Sequence, residues 1–98
     1  MKKIKFAIAG LGRIGKIHLE NLQLMDEVEV VAATDTHADG RQYAEKKGID
    51  RVFSSYEQMI KDSPIDAVVI CSPTDTHADY VEIAAYGGVA VFCEKPLD

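Results

Sequence analysis

Two cysteines in 98 residues, Cys71 and Cys93, do not make a disulfide framework. Both sit near the ends of apolar runs and read as small buried hydrophobes. A metal set built from Cys71, His77 and Cys93 lacks any Cys-x-x-Cys or His-x-x-x-His pair, so no metal is expected. Long apolar runs are missing too, which argues against a membrane span. Met1-Lys2-Lys3 carries the charge of a secretory leader, but the apolar stretch behind it is too short and is broken by Arg13. Basic charge is scarce: 11 Lys and Arg stand against 16 Asp and Glu, for a net charge of −5. With no basic stripe, neither nucleic acid nor an anionic membrane is an expected partner. Linkers, repeats and low-complexity segments are also absent. The chain therefore reads as one globular domain, 47 % apolar and 28 % charged, with cytoplasm as its expected compartment. A chain of this size buries about 60–70 % of its unfolded surface, enough for a modest core.

What is present begins with residues 4–15, Ile4-Lys5-Phe6-Ala7-Ile8-Ala9-Gly10-Leu11-Gly12-Arg13-Ile14-Gly15. An apolar strand runs into Gly-x-Gly-x-x-Gly, and a helix opens there. Gly10 permits the tight turn, Gly12 lets a pyrophosphate approach the backbone, and Gly15 lets the helix pack closely on the sheet. Unpaired N–H groups and the dipole at the helix start favour phosphate charge. Three glycines alone can mean only a tight junction, but a second apolar run, Val28 to Thr34, ends in Asp35. That acid lies about 20 residues beyond Gly15, the spacing of a ribose-binding carboxylate.

The remaining elements follow in alternation. A strand at 4–9 leads to a helix at 13–25 with Ile14, Ile17, Leu22 and Met25 toward the sheet and a Lys16–Glu20 pair outside. His18 reads as a core-edge histidine bonded to a neighbour rather than a catalytic one. Next come a strand at 28–34, a helix at 38–47 with Tyr43 and Ala44 inward, and a stop at Gly48. Val52-Phe53 is a short strand. A helix at 55–62 has Ser55 as N-cap and Tyr56, Met59 and Ile60 as its apolar face. A central-type strand spans 66–71. A helix at 76–86 packs through Tyr80, Val81, Ile83 and Ala84 and ends at Gly87-Gly88, and a fifth strand spans 89–93. This β-α-β-α-β-α-β-α-β order predicts an α/β fold: a Rossmann-type, doubly wound parallel sheet of five strands in the order 3-2-1-4-5. The sixth strand of a full dinucleotide fold is not present. The apolar fifth strand is therefore expected at a bare sheet edge, so the chain is expected to be a fragment, or to hide this edge against another copy.

Three motifs together, Ala9-Gly10-Leu11-Gly12-Arg13-Ile14-Gly15 with His18, Cys71-Ser72-Pro73-Thr74 with His77, and Glu94-Lys95-Pro96, resemble the Gfo/Idh/MocA oxidoreductase family, and within it the inositol 2-dehydrogenases. The resemblance covers residues 1–98 as the family's N-terminal cofactor domain, with the C-terminal substrate domain absent. It implies that Gly10, Gly12, Arg13, Ile14 and Gly15 contact the pyrophosphate, and that Asp35 with Thr36 meets the adenosine ribose. It implies that Ser72, Pro73 and Thr74 line the crevice, His77 shapes that loop, and Glu94 and Lys95 lie at the nicotinamide end. A cis Lys95–Pro96 bond, frequent in the family, would aim Lys95 into the cleft. Lys95 is then the one catalytic candidate on this chain, as proton relay or alkoxide partner. The family's catalytic Asp-x-x-x-His pair belongs to the second domain. The implied activity is NAD-dependent oxidation of a polyol or sugar hydroxyl by a homo-oligomer, with the 98-residue chain itself inactive.

Read without the resemblance, these residues keep alternatives. Lys95 follows a strand's carboxyl end, where open α/β sheets place ligands, but a solvated lysine paired with Glu94 satisfies the same pattern. Ser72 to Asp75 also suits a plain strand-to-helix turn with Thr74 or Asp75 as N-cap, although its place at the expected switch point favours cofactor contact. Asp35 favours NAD over NADP, because a carboxylate repels a 2′-phosphate; no arginine immediately follows the acid, and Arg41, six residues on in the following helix, is free to swing toward such a phosphate. The rival reading is a non-catalytic nucleotide-binding or redox-sensing module, and a third is a fragment too incomplete to bind cofactor.

Overall fold

The computed structural model describes residues 3–71 and 77–93, with the backbone alone for His77, Ala78 and Cys93. Nine elements follow in order: β1 (Ile4–Ala9), α1 (Arg13–Gln23), β2 (Val28–Thr34), α2 (Ala38–Lys46), β3 (Arg51–Phe53), α3 (Tyr56–Asp62), β4 (Ala67–Ile70), α4 (His77–Tyr86) and β5 (Ala90–Cys93). The five strands form one sheet in the order β3-β2-β1-β4-β5. Every adjacent pair is parallel. The expected fold class and strand order hold, and β5 lies at an edge with Phe92 exposed. Among the described residues no helix is long and apolar enough to cross a membrane.

Strand alternation sends side chains to two cores. Ala7, Ala9, Val68 and Ile70 pack with Tyr56, Met59, Ile60 and Ala84 of α3 and α4. Phe6, Ile8, Ala33 and Val69 pack with Leu19, Leu22 and Ala44 of α1 and α2. This two-sided burial is why the central strands read as continuous apolar runs. The period breaks once. In the β1–β2 pairing, Phe6 stands opposite Val30 and Ala7 opposite Ala32, so Val31 is an extra residue. Val31 and Ala32 consequently both pack on the α3–α4 side, while Val30 and Ala33 pack on the other.

Local chemistry explains most boundaries. Ser55 caps α3, its side chain accepting from the Gln58 N–H at 3.3 Å. Tyr56, Met59 and Ile60 are the buried face of that helix, as their spacing predicts. Gly48 ends the α2 segment at φ +86°, a conformation that glycine adopts without steric cost.

In α1 the expected inward face needs correction. Leu19 and Leu22 are buried with Gly15, whereas Ile14, Ile17 and Met25 are 43–49 % exposed. The helix also stops at Gln23 rather than 25. Its apolar residues spread around more of the circumference than the sheet covers, so periodicity alone selects the wrong edge of the stripe. The Lys16–Glu20 pair also resolves differently. Glu20 accepts from the Tyr43 hydroxyl at 2.5 Å and lies 3.6 Å from Lys47 Nζ, while Lys16 Nζ sits 5.0 Å from the Tyr43 ring centre. These contacts tie α1 to α2. In α4, Ala84 is buried and Tyr80 and Ile83 pack on the core as expected, but Val81 is exposed.

Candidate functional site

Because all strands are parallel, β1, β2 and β4 deliver their carboxyl ends to one edge of the sheet. The β1–α1 turn is held there by its own backbone. The Gly10 N–H donates to the Thr34 carbonyl at 2.9 Å, and Gly10 sits at φ +98°, which only glycine adopts readily. A Cβ at Gly15 would run into the Gly10 carbonyl, so α1 can approach the turn this closely only with glycine there. A Cβ at Gly12 would meet nothing within 4 Å, so the space at the mouth of the helix is open. Gly12 is the N-cap and offers no side-chain acceptor, and the first turn carries no acidic residue. The first helical bond runs from the Lys16 N–H to the Gly12 carbonyl, which leaves the Arg13 and Ile14 N–H groups without an acceptor among the described residues. An open space, unpaired N–H groups and the positive end of a helix dipole make up the chemistry of a phosphate cradle. The residues present fit a dinucleotide.

Asp35 stands directly beside this turn, one residue past β2. Its Oδ2 accepts from the Leu11 N–H at 2.6 Å, and its Oδ1 accepts from the His37 N–H at 2.7 Å with His37 Nδ1 at 3.5 Å. The side chain is only 12 % exposed. A carboxylate has about four acceptor positions, so two remain for hydroxyl donors. The Asp35 backbone is pinned from both sides: its N–H donates to the Phe53 carbonyl at 3.3 Å, and its carbonyl accepts from Arg41 Nη1 at 2.8 Å. Arg41, which from sequence alone is free to reach a phosphate, is thus folded back onto the Asp35 main chain. Thr36 is exposed at the lip, its hydroxyl 3.1 Å from His37 Nδ1. Tyr80, on the α3–α4 side, has its phenol pushed above the usual tyrosine range, first by burial and then by the negative charge of Asp35.

The structure therefore brings together Gly10, Gly12, Arg13, Ile14, Gly15, Asp35 and Thr36. His77 is the first residue of α4. Ser72, Pro73, Thr74, Glu94 and Lys95, with the Lys95–Pro96 bond, lie outside the described residues. Sequence reasoning missed the Leu11 and His37 N–H groups as partners of Asp35, since backbone donors leave no trace in residue identity. It also missed Gly40, whose position inside α2 with no turn to make was the available signal.

Fold, glycine turn and adjoining acid define the class: a dinucleotide-binding Rossmann domain. Residues 4–98 match the model of an oxidoreductase family with an NAD-binding Rossmann fold, GFO_IDH_MocA, and the chain belongs to that family. It is 40 % identical over 95 residues to a myo-inositol 2-dehydrogenase of Thermotoga maritima, covering 96 % of this chain and 28 % of the relative. It is 39 % identical over 101 residues to an inositol 2-dehydrogenase of Rhizobium meliloti, covering 97 % of this chain and again 28 % of the relative. Among solved structures, the scyllo-inositol dehydrogenase of Lactobacillus casei with bound NAD(H) and scyllo-inositol superposes with a TM-score of 0.93 at 40 % identity, over 99 % of this chain and 30 % of that one. The chain thus spans less than a third of the length of these relatives.

Proposed function

We propose that this chain is the cofactor domain of an NAD-dependent dehydrogenase that oxidises a secondary hydroxyl of an inositol-like polyol. The observation that carries the reading is the Asp35 carboxylate, held at the lip of the glycine turn by the Leu11 and His37 N–H groups with acceptor capacity to spare. There it binds the two adenosine ribose hydroxyls and repels a 2′-phosphate, which favours NAD over NADP. The engagement of Arg41 with the Asp35 carbonyl ties down a cation that would otherwise favour NADP.

When bound, the nicotinamide supplies the hydride acceptor. The chain's own residues orient it. Gly10, Gly12 and Gly15 bring the backbone to the pyrophosphate, and the Arg13 and Ile14 N–H groups donate to it. Ser72, Pro73 and Thr74, following β4, line the crevice with His77 supporting their loop, and Glu94 and Lys95, next in sequence after β5, serve the nicotinamide end. Lys95 holds the substrate oxygen by charge and hydrogen bonding as the hydroxyl proton leaves. In this reading the substrate contacts and the remaining proton acceptor come from a second domain, the intact enzyme is a homo-oligomer, and its compartment is the cytoplasm.

The test is a calorimetric titration of the chain with NAD and with NADP, beside Asp35→Ala. NAD is expected to bind saturably and more tightly than NADP. The substitution is expected to weaken NAD binding about 10- to 100-fold, the effect of losing charge-assisted hydrogen bonds. NAD binding unchanged in Asp35→Ala would refute the ribose assignment. Binding with no turnover in the intact parent enzyme would favour a nucleotide-sensing module instead.

A further inference from the structure

Gly40 lies inside α2, is buried, and has no positive φ, so nothing in the backbone conformation calls for glycine. Glycine is unfavourable at such a position compared with alanine. What it provides is room. A Cβ built at Gly40 would lie 2.5 Å from Asp35 Oδ2, 2.7 Å from Cγ and 2.9 Å from Cβ. The nearest atom is the same oxygen that accepts the Leu11 N–H at 2.6 Å.

Asp35 cannot yield to such a methyl group by moving its main chain. Its N–H is bonded to the Phe53 carbonyl on β3, and its carbonyl is bonded to Arg41, the residue next to Gly40. Relief of the two shortest contacts, at Oδ2 and Cγ, requires the side chain to rotate, and rotation breaks the bonds to the Leu11 or His37 N–H groups. Those bonds define where the carboxylate stands relative to the glycine turn.

We infer that Gly40 is a positioning residue for the cofactor: its missing side chain is what lets the Asp35 carboxylate occupy the place from which it reads the adenosine ribose. The inference rests on the dinucleotide reading above. It assigns part of the NAD affinity, and of the preference over NADP, to a residue that touches no cofactor atom.

The experiment is a double-mutant cycle on the 98-residue chain: wild type, Gly40→Ala, Asp35→Ala and the double variant. Affinities for NAD and NADP are measured by calorimetry, and melting temperatures in the absence of nucleotide. Gly40→Ala is expected to weaken NAD binding roughly tenfold while leaving NADP binding nearly unchanged. On the Asp35→Ala background the same substitution is expected to cost no further affinity and to lower the melting temperature less than it does in wild type, because the carboxylate atoms at 2.5 and 2.7 Å are gone and only the Cβ at 2.9 Å remains. Equal losses in both backgrounds would show an effect on α2 itself and overturn the inference. Should Gly40→Ala alone fail to fold, restoration of folding by Asp35→Gly, which removes all three contacting atoms, supports the inference, and a Gly40→Ala, Asp35→Gly chain that stays unfolded while Asp35→Gly alone folds overturns it. A wild-type chain that does not bind NAD, or an Asp35→Ala chain that binds it as well as wild type does, would overturn the dinucleotide reading and this inference with it. NAD affinity lost in Asp35→Ala but intact in Gly40→Ala would overturn the inference about Gly40 alone.

Discussion

The two faces of the sheet are covered to different extents. On the α3–α4 face, Met59, Val68, Ile70 and Ala84 are fully buried, and the Tyr56 and Tyr80 rings stack 3.8 Å apart with the Tyr56 hydroxyl donating to the Tyr80 carbonyl at 2.7 Å. On the other face, α1 packs on β1 and β2, and α2 on β2 and β3. The main contacts of both helices lie away from β5, where Phe92 is 55 % exposed and stacks on Phe6 with ring centres 5.9 Å apart. A cleft of about 300 Å³ opens there, lined by Phe6, His18, Leu22, Met25, Val69 and Phe92. The same alternation of apolar side chains thus gives a closed core on one side and a partly open one on the other. The glycine turn and Asp35 lie where α1, α2 and β2 converge, in the covered part of the open face. A carboxylate positioned by backbone donors needs that rigidity; an apolar cleft does not.

The comparison breaks most sharply at Met59. Replacing it with alanine leaves a cavity in the closed core, and the expected loss is about 2–5 kcal/mol, read as a fall in the urea midpoint. If Met59→Ala costs no more than a surface substitution, the closed face is not the stabilising one. Phe92→Thr should cost far less, about 0.5–1.5 kcal/mol, because the ring is half exposed and its main partner is Phe6. The same denaturation series checks it, and a loss as large as that at Met59 would mean that the open face is as well packed as the closed one.

The smallest effect belongs to the strap joining α1 and α2 on the covered part of the open face. Burial, then the bond to Glu20, pushes the Tyr43 phenol up to about 12. Glu20 is held below the usual carboxylate range, first by the Tyr43 hydroxyl and then by Lys47. Tyr43 ordinarily titrates at 10.0, and its folded value is raised, so the stability it contributes is whole below about pH 10 and is lost as pH rises toward about 12. Glu20 has the opposite sign: its contribution is present above its ordinary value of 4.5 and is lost as pH falls through its lowered folded value. Tyr43→Phe should therefore lower stability between these limits and flatten the decline at both ends, because phenylalanine has no phenol proton to lose and Glu20 loses the first cause of its lowered value. Urea midpoints measured across pH should show wild type and variant converging near pH 12; a constant gap at every pH would assign the effect to packing alone.

Much of this was legible in the residues. The glycine spacing, the apolar run ending at Asp35, the Ser55 cap and the Tyr56, Met59 and Ile60 stripe are local patterns, set by contacts within a turn or two of chain. Where reading failed, the deciding contact came from how separate elements pack, whatever the spacing along the chain. Ile14 and Ile17 are as apolar as Leu19, but only the position of the sheet decides which of them it covers. The bulge at Val31 depends on which residue of β1 stands opposite. Arg41 looks free until the backbone of Asp35 is seen within its reach.

The sequence by itself determined the order of elements, the parallel sheet and the presence of a glycine turn followed by an acid, because periodicity and turn chemistry are properties of neighbouring residues. Only the tertiary structure decided that two backbone N–H groups hold the Asp35 carboxylate and that Gly40 makes room for it. Those are contacts across 24, two and five positions of chain, and apart from the residue types at their ends no pattern in the sequence encodes the distance between them. Packing α2 against the end of β2 sets that distance, and with it the place of the carboxylate beside the open mouth of α1.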